Sequence, residues 1–177
     1  LPDTRPGLTI GPDGVCSACR SHATKGRTEV DWDPSARAPL YFVEHGVPPR
    51  PSEVLYDRSG TAMTRLTPDA FAWKDLVADA GAALSTGITC ALGEGPADAV
   101  TAFFRAAREA GTVTVFDVNH RVRLWSWEEA VPVLRGVLGH VDLLLAGRQD
   151  LLRLLPDADP GADQVQLARR AIETYGH

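Results

Sequence analysis

Apolar residues along this chain follow two periods, and the alternation between them outlines the fold. Leu40–Val43 (LYFV), Glu53–Tyr56 (EVLY), Ala83–Ile88 (ALSTGI), Val113–Phe116 (VTVF) and Val141–Leu145 (VDLLL) are short runs of strand length. Longer stretches with helical spacing separate them. Over Pro96–Ala110, residues Val100, Phe103, Phe104 and Ala107 fall at i, i+3, i+4 and i+7, with Arg105, Arg108 and Glu109 mostly off that stripe. This predicts an amphipathic helix that ends at Gly111. Ser126 and Glu129 have the spacing of a capping box, so a second helix is expected from Trp127, with Val131, Leu134 and Leu138 inward and Gly139 at its end. Gln149–Leu155 and Asp163–Tyr175 read as two more helices, split by the Pro156–Gly161 turn, and Thr67-Pro68 opens a shorter helical stretch running to about Ala80. From residue 83 the order is strand, helix, strand, helix, strand, helix, helix. Helical crossovers between short apolar strands imply a parallel sheet flanked by helices, an α/β fold. The loops Thr86–Ile88, Asp117–Arg121 and Ala146–Asp150 then share the carboxyl edge of that sheet, where open α/β folds hold their ligands.

Residues 1–39 differ in kind. They are rich in Pro, Gly, Asp, Ser and Thr, with turn signals at Pro6-Gly7 and Pro12-Asp13-Gly14 and few large apolar side chains. The segment reads as an irregular extension ahead of a domain over 40–177, whose strands around 40–66 form a small β lid. The whole chain is 44% hydrophobic and 23% charged, enough apolar content for a core. A net charge of -5 and the lack of basic runs argue against a nucleic-acid partner. No apolar run approaches the roughly 20 residues of a membrane helix, and LPDTRPG has no charged-then-apolar leader pattern, so a cytoplasmic protein is expected.

The chemistry-bearing residues gather in two places. Asp117, Asn119, His120 and Arg121 follow the Val113–Phe116 run directly. A guanidinium at a strand's carboxyl end can hold a carboxylate or phosphate through two parallel hydrogen bonds; the alternative for Arg121 is a surface ion pair. Asp117 and Asn119 either touch ligand or hold the loop. Tyr41, Tyr56 and Arg58 lie on the two lid strands, and alternation puts Tyr56 and Arg58 on one face with Asp57 on the other. They form either a cover for a polyhydroxy acid or an ordinary amphipathic edge. Cys16 and Cys19 form a C-x-x-C near His22, supplying only two of the four ligands that a structural zinc takes, so two free thiols or the remnant of a larger site are expected ahead of a bound zinc. Cys90 reads as a small buried residue, and His45, His120 and His140 as loop histidines. The phosphate-loop, dinucleotide-binding, zincin and nucleophile-elbow motifs are all missing.

Four stretches, YFVEHG…PRPSEVLYDRSGTAMTRL, LSTGITCAL, VFDVNHRVRLW and VDLLLAG, resemble the middle of ribokinase-like sugar kinases, and most closely 2-keto-3-deoxygluconate kinases. The resemblance spans about residues 40–177. It implies an α/β sandwich with a β lid, ATP and Mg²⁺ as cofactors, and a small sugar acid as the molecule bound. By resemblance Tyr41, Tyr56 and Arg58 would be lid contacts, Ile88 would line the pocket, and Arg121 would take the substrate carboxylate; Asn119 is counted with them as a substrate-binding residue. The family's Gly-x-Gly-Asp string, which carries the catalytic base and the anion hole, does not occur in these 177 residues, and Gly147–Asp150 (GRQD) stands where many relatives have Asn-x-x-Glu. The expectation is therefore an incomplete ribokinase-like domain that lacks turnover as it stands. Residues 1–33 are similar to the start of N-acetyl sugar amidotransferases, without that family's S-G-G-x-D-S loop. Two further readings follow: an amidotransferase-related protein, or a non-catalytic sugar-acid-binding module. Homo-oligomers would form through the lid or an exposed sheet edge.

Overall fold

A computed structural model describes Pro12 and residues 35–176. Two β-elements organise them. Strands β1 (Leu40–Glu44) and β2 (Glu53–Asp57) form an antiparallel pair in which Tyr41 faces Tyr56 and Phe42 faces Leu55. Strands β3 (Ala82–Thr86), β4 (Val113–Asp117) and β5 (Leu143–Leu145) form a parallel sheet in that order, with Thr86, Asp117 and Leu145 level at the carboxyl edge. The helices are α1 (Trp73–Val77), the single turn α2 (Gly87–Cys90), α3 (Glu94–Glu109), α4 (Trp127–Leu138), α5 (Arg148–Leu154) and α6 (Gln164–Tyr175). A 3₁₀ turn spans Ala62–Arg65. Residues 36–177 make one compact unit, and among the described residues no helix is long and apolar enough to cross a membrane.

Packing follows the stripe predicted for α3, whereas on α4 Ala130 and Val137 take the inward place expected of Val131, which is half-buried outside the core. Val100 and Phe104 of α3 and Ala130, Leu134, Val137 and Leu138 of α4 bury against Phe116 and Val118. Phe104 meets Phe116 edge-on at 6.0 Å between ring centres, a geometry that sets the ring edge of one against the face of the other. Ser126 and Glu129 form the expected reciprocal cap of α4, and Asp163 with Gln166 caps α6 in the same way. Helix α3 gives way at Gly111, whose φ of +75° suits glycine. One sheet face is thus covered. Among the described residues the other is bare: Leu84, Val113, Leu143 and Leu145 are about half exposed.

Three expectations need correction. The helix foreseen over Thr67–Ala80 shrinks to Trp73–Val77. Thr67–Ala70 makes a turn instead, and Trp73 donates its indole N–H to the Pro68 carbonyl (2.6 Å) while its ring packs on Phe71 and Phe103. Anchoring that indole outweighs local helix propensity. Strand β3 stops at Thr86, two residues short of Ile88, because the Thr86 hydroxyl accepts the Ile88 N–H (3.2 Å) and caps α2. Strand β5 starts at Leu143, because the Val141 N–H still turns back to the Leu138 carbonyl (3.2 Å).

Candidate functional site

The carboxyl edge of the sheet is built by close approach of its loops. A Cβ on Gly87 would lie 2.1 Å from the Val118 carbonyl oxygen, so only glycine lets the end of β3 nest against the loop after β4. In that loop Val118 is fully buried and donates its N–H to Leu145 (3.0 Å). Asn119 takes a left-handed φ of +39°, a region asparagine tolerates, and its N–H goes to Asp117 Oδ1 (3.2 Å). The Arg121 carbonyl then accepts from Leu124 (2.8 Å), closing the turn. The Asp117 carboxylate is therefore a loop brace, one of the two roles its position left open.

A cavity of about 600 Å³ lies between this loop and the lid. Its walls include Leu55, Tyr56 and Arg58 from the β2 side, Ile88 from α2, and His120–Leu124 from the loop. The Arg58 guanidinium lies over the Tyr56 ring, 4.5 Å from its centre. Arg123 reaches across to the Val54 carbonyl (2.9 Å), tying the loop to the lid. Among the described residues no carboxylate pairs with Arg58 or Arg121. Three guanidinium groups over a partly apolar floor make a cavity suited to a small anion.

Of the residues singled out from sequence, Tyr56, Arg58, Ile88 and Arg121 line this one cavity. Tyr41 sits beside it on β1, its ring 6.4 Å from that of Tyr56 and itself exposed. Asn119 is half-buried in the turn and is not part of the wall. His120, read as an ordinary loop residue, does line the cavity, as do Leu55 and Arg123. His120 stands in the polar run Asp117–Arg121, but nothing local marks Leu55 and Arg123; only the meeting of lid and loop does.

The remaining candidates separate from the cavity. Cys90 is buried beneath α3 and α4, and burial pushes its thiol up to about 12. His140 is held below its usual range by burial and by Arg105 and Arg108 nearby. Asp150 spends a carboxylate oxygen on the Gly147 N–H (2.8 Å). Cys16, Cys19 and His22 lie outside the described residues, and among those described no three His, Cys, Asp or Glu side chains cluster as metal ligands.

A helix-flanked parallel sheet with a two-stranded lid above its carboxyl edge is the architecture of ribokinase-like carbohydrate kinases, and this chain's homologues and structural neighbours are of that class. More narrowly, it is homologous to kinases of 2-dehydro-3-deoxy sugar acids. It is 38% identical over 141 residues to a 2-dehydro-3-deoxygalactonokinase of Haloferax volcanii, covering 80% of this chain and 43% of that protein. The crystal structure of 2-dehydro-3-deoxygluconokinase from Thermotoga maritima superposes with a TM-score of 0.72 at 30% identity, over 80% of this chain and 44% of that one. A PfkB family carbohydrate kinase from Listeria grayi gives 0.76 at 22% identity, over 96% and 52%, a likeness of fold alone. No family model matches the chain. The chain spans about two-fifths of the length of the curated relatives it matches. None of the three supports the amidotransferase likeness of residues 1–33.

Proposed function

We propose that residues 40–176 form the acceptor side of a sugar-acid kinase and bind 2-keto-3-deoxygluconate or a similar acid beneath the lid. Arg121 holds the carboxylate in a bidentate pair, Arg58 adds charge, Tyr56 and Tyr41 cover the hydroxylated carbons from the lid, Ile88 is the apolar floor, and Asn119 sets the turn that presents Arg121. The observation that carries this reading is the single cavity uniting Tyr56, Arg58, Ile88 and Arg121, residues distant in sequence.

Phosphoryl transfer depends on positioning and on stabilising charge at the transferred group. The 177 residues contain no Gly-x-Gly-Asp string to supply a base and an anion hole. Among the described residues no three His, Cys, Asp or Glu side chains cluster as metal ligands, and Asp150 accepts the Gly147 N–H with one carboxylate oxygen. We therefore assign the 177-residue polypeptide binding without turnover; ATP and Mg²⁺, the cofactors of the implied reaction, require donors beyond those described.

Titration calorimetry with 2-keto-3-deoxygluconate tests this. Wild type should bind, and Arg121→Ala should lose ~2 kcal/mol, about thirtyfold in Kd. Mixing the chain with ATP, Mg²⁺ and the acid should yield no phosphorylated product. Absence of binding, or product formation by the 177 residues alone, would overturn the respective half of the proposal.

A further inference from the structure

The sugar-acid reading leaves His120, in the cavity wall, without a role. His120 lies between Arg121 and the left-handed Asn119, and its ring is stacked on Trp127 at 3.9 Å and 12° and lies nearly parallel to Trp125 at 6.5 Å and 16°. Both tryptophans pack in turn on the main core. The His120 Nε2 atom is shielded from solvent and has no hydrogen-bond partner, so the ring is held there by stacking and not by a polar contact. A shielded nitrogen is also poorly placed to touch a ligand. What the ring does have is leverage, since it is one residue from the guanidinium proposed to grip the carboxylate, in a turn also held by the Asp117 brace, the Arg121 carbonyl, the Val118 N–H on Leu145 and the Arg123 tie to Val54.

We propose that His120 is the positioning residue of the acid-binding pocket: wedged flat against Trp127, its ring fixes the turn so that the Arg121 side chain enters the cavity. This rests on the sugar-acid reading and goes beyond it, because selectivity for acids over neutral sugars then depends on an aromatic stack that acts through Arg121 and donates no hydrogen bond from its shielded Nε2. The stack needs a flat ring and does not need a nitrogen. Phenylalanine should serve at this position where alanine does not.

The test measures 2-keto-3-deoxygluconate affinity by calorimetry for wild type, His120→Ala, His120→Phe, Arg121→Ala and the double variant His120→Ala/Arg121→Ala. The expected result is a loss of about tenfold for His120→Ala, near wild-type affinity for His120→Phe, and a double variant no weaker than Arg121→Ala alone, because one residue acts through the other. Equal loss in His120→Phe, or additive losses in the double variant, would overturn the proposal. Amide hydrogen exchange of Asn119–Arg121 supplies a readout that needs no ligand. It should quicken in His120→Ala and stay slow in His120→Phe; unchanged exchange in His120→Ala would refute the wedge. If wild type fails to bind the acid, the functional reading falls and the wedge is judged on exchange alone.

Discussion

At Cys90 and Gly87, the two ends of the single turn α2, neighbours decide everything. The Cys90 thiol is 2% exposed and raised to about 12, so it stays protonated and inert at neutral pH. Peptide mapping after treatment with a thiol reagent at pH 8 should find Cys90 unlabelled in the native protein and labelled once denaturant is added; labelling of the native protein would contradict the burial. Gly87 has no such room to spare. Gly87→Ala forces a Cβ onto the Val118 carbonyl, so either β3 or the Arg121 loop must move. A loss of about 3 kcal/mol is expected by urea unfolding, together with weakened sugar-acid binding; a variant as stable and as tight as wild type would show that the two loops are not packed as described.

At the scale of elements, end chemistry and burial face account for most of the architecture. Ser126 caps α4, and Ser126→Ala should cost about 1 kcal/mol, read by thermal or urea unfolding. The Glu129 carboxylate accepts the Ser126 N–H, which holds its pKa below the ordinary 4.5. A depressed folded value means that this carboxylate stabilises the fold above pH 4.5 and ceases to do so as pH falls through the lower folded value. The stability gap between wild type and Glu129→Gln should therefore be open at neutral pH and close in acid, and it should be small because the group is exposed. A gap independent of pH would remove Glu129 from the cap. Helices α3, α4 and α6 were legible because their stripes and caps lie within a turn or two of each other. The Thr67–Ala80 stretch departs from its local helical pattern because Trp73 answers to Phe103, a residue of another element.

The described residues carry more apolar surface than their own elements cover. Parallel sheets are normally covered on both faces, yet here Leu84, Val113, Leu143 and Leu145 are bare among the described residues. The lid likewise shows Leu40, Phe42 and Leu55 to solvent. We propose that copies of the chain associate through the lid or the sheet edge. Light scattering should give a mass above that of the monomer, and Phe42→Asp should lower it if the lid is the contact. A monomeric wild type would rule the association out. Composition, cap spacing and the two hydrophobic periods were enough to specify an α/β chain, its succession of strands and helices and the cluster at Asp117–Arg121, because each depends on residues near one another along the backbone. They could not say that Tyr56 and Arg58 would face Arg121 across one cavity, that Asp117 would brace a turn, or that His120 would stack on Trp127. Those outcomes depend on which distant surfaces exclude water from each other, and that choice is made only when the sheet, its helices and the lid come together.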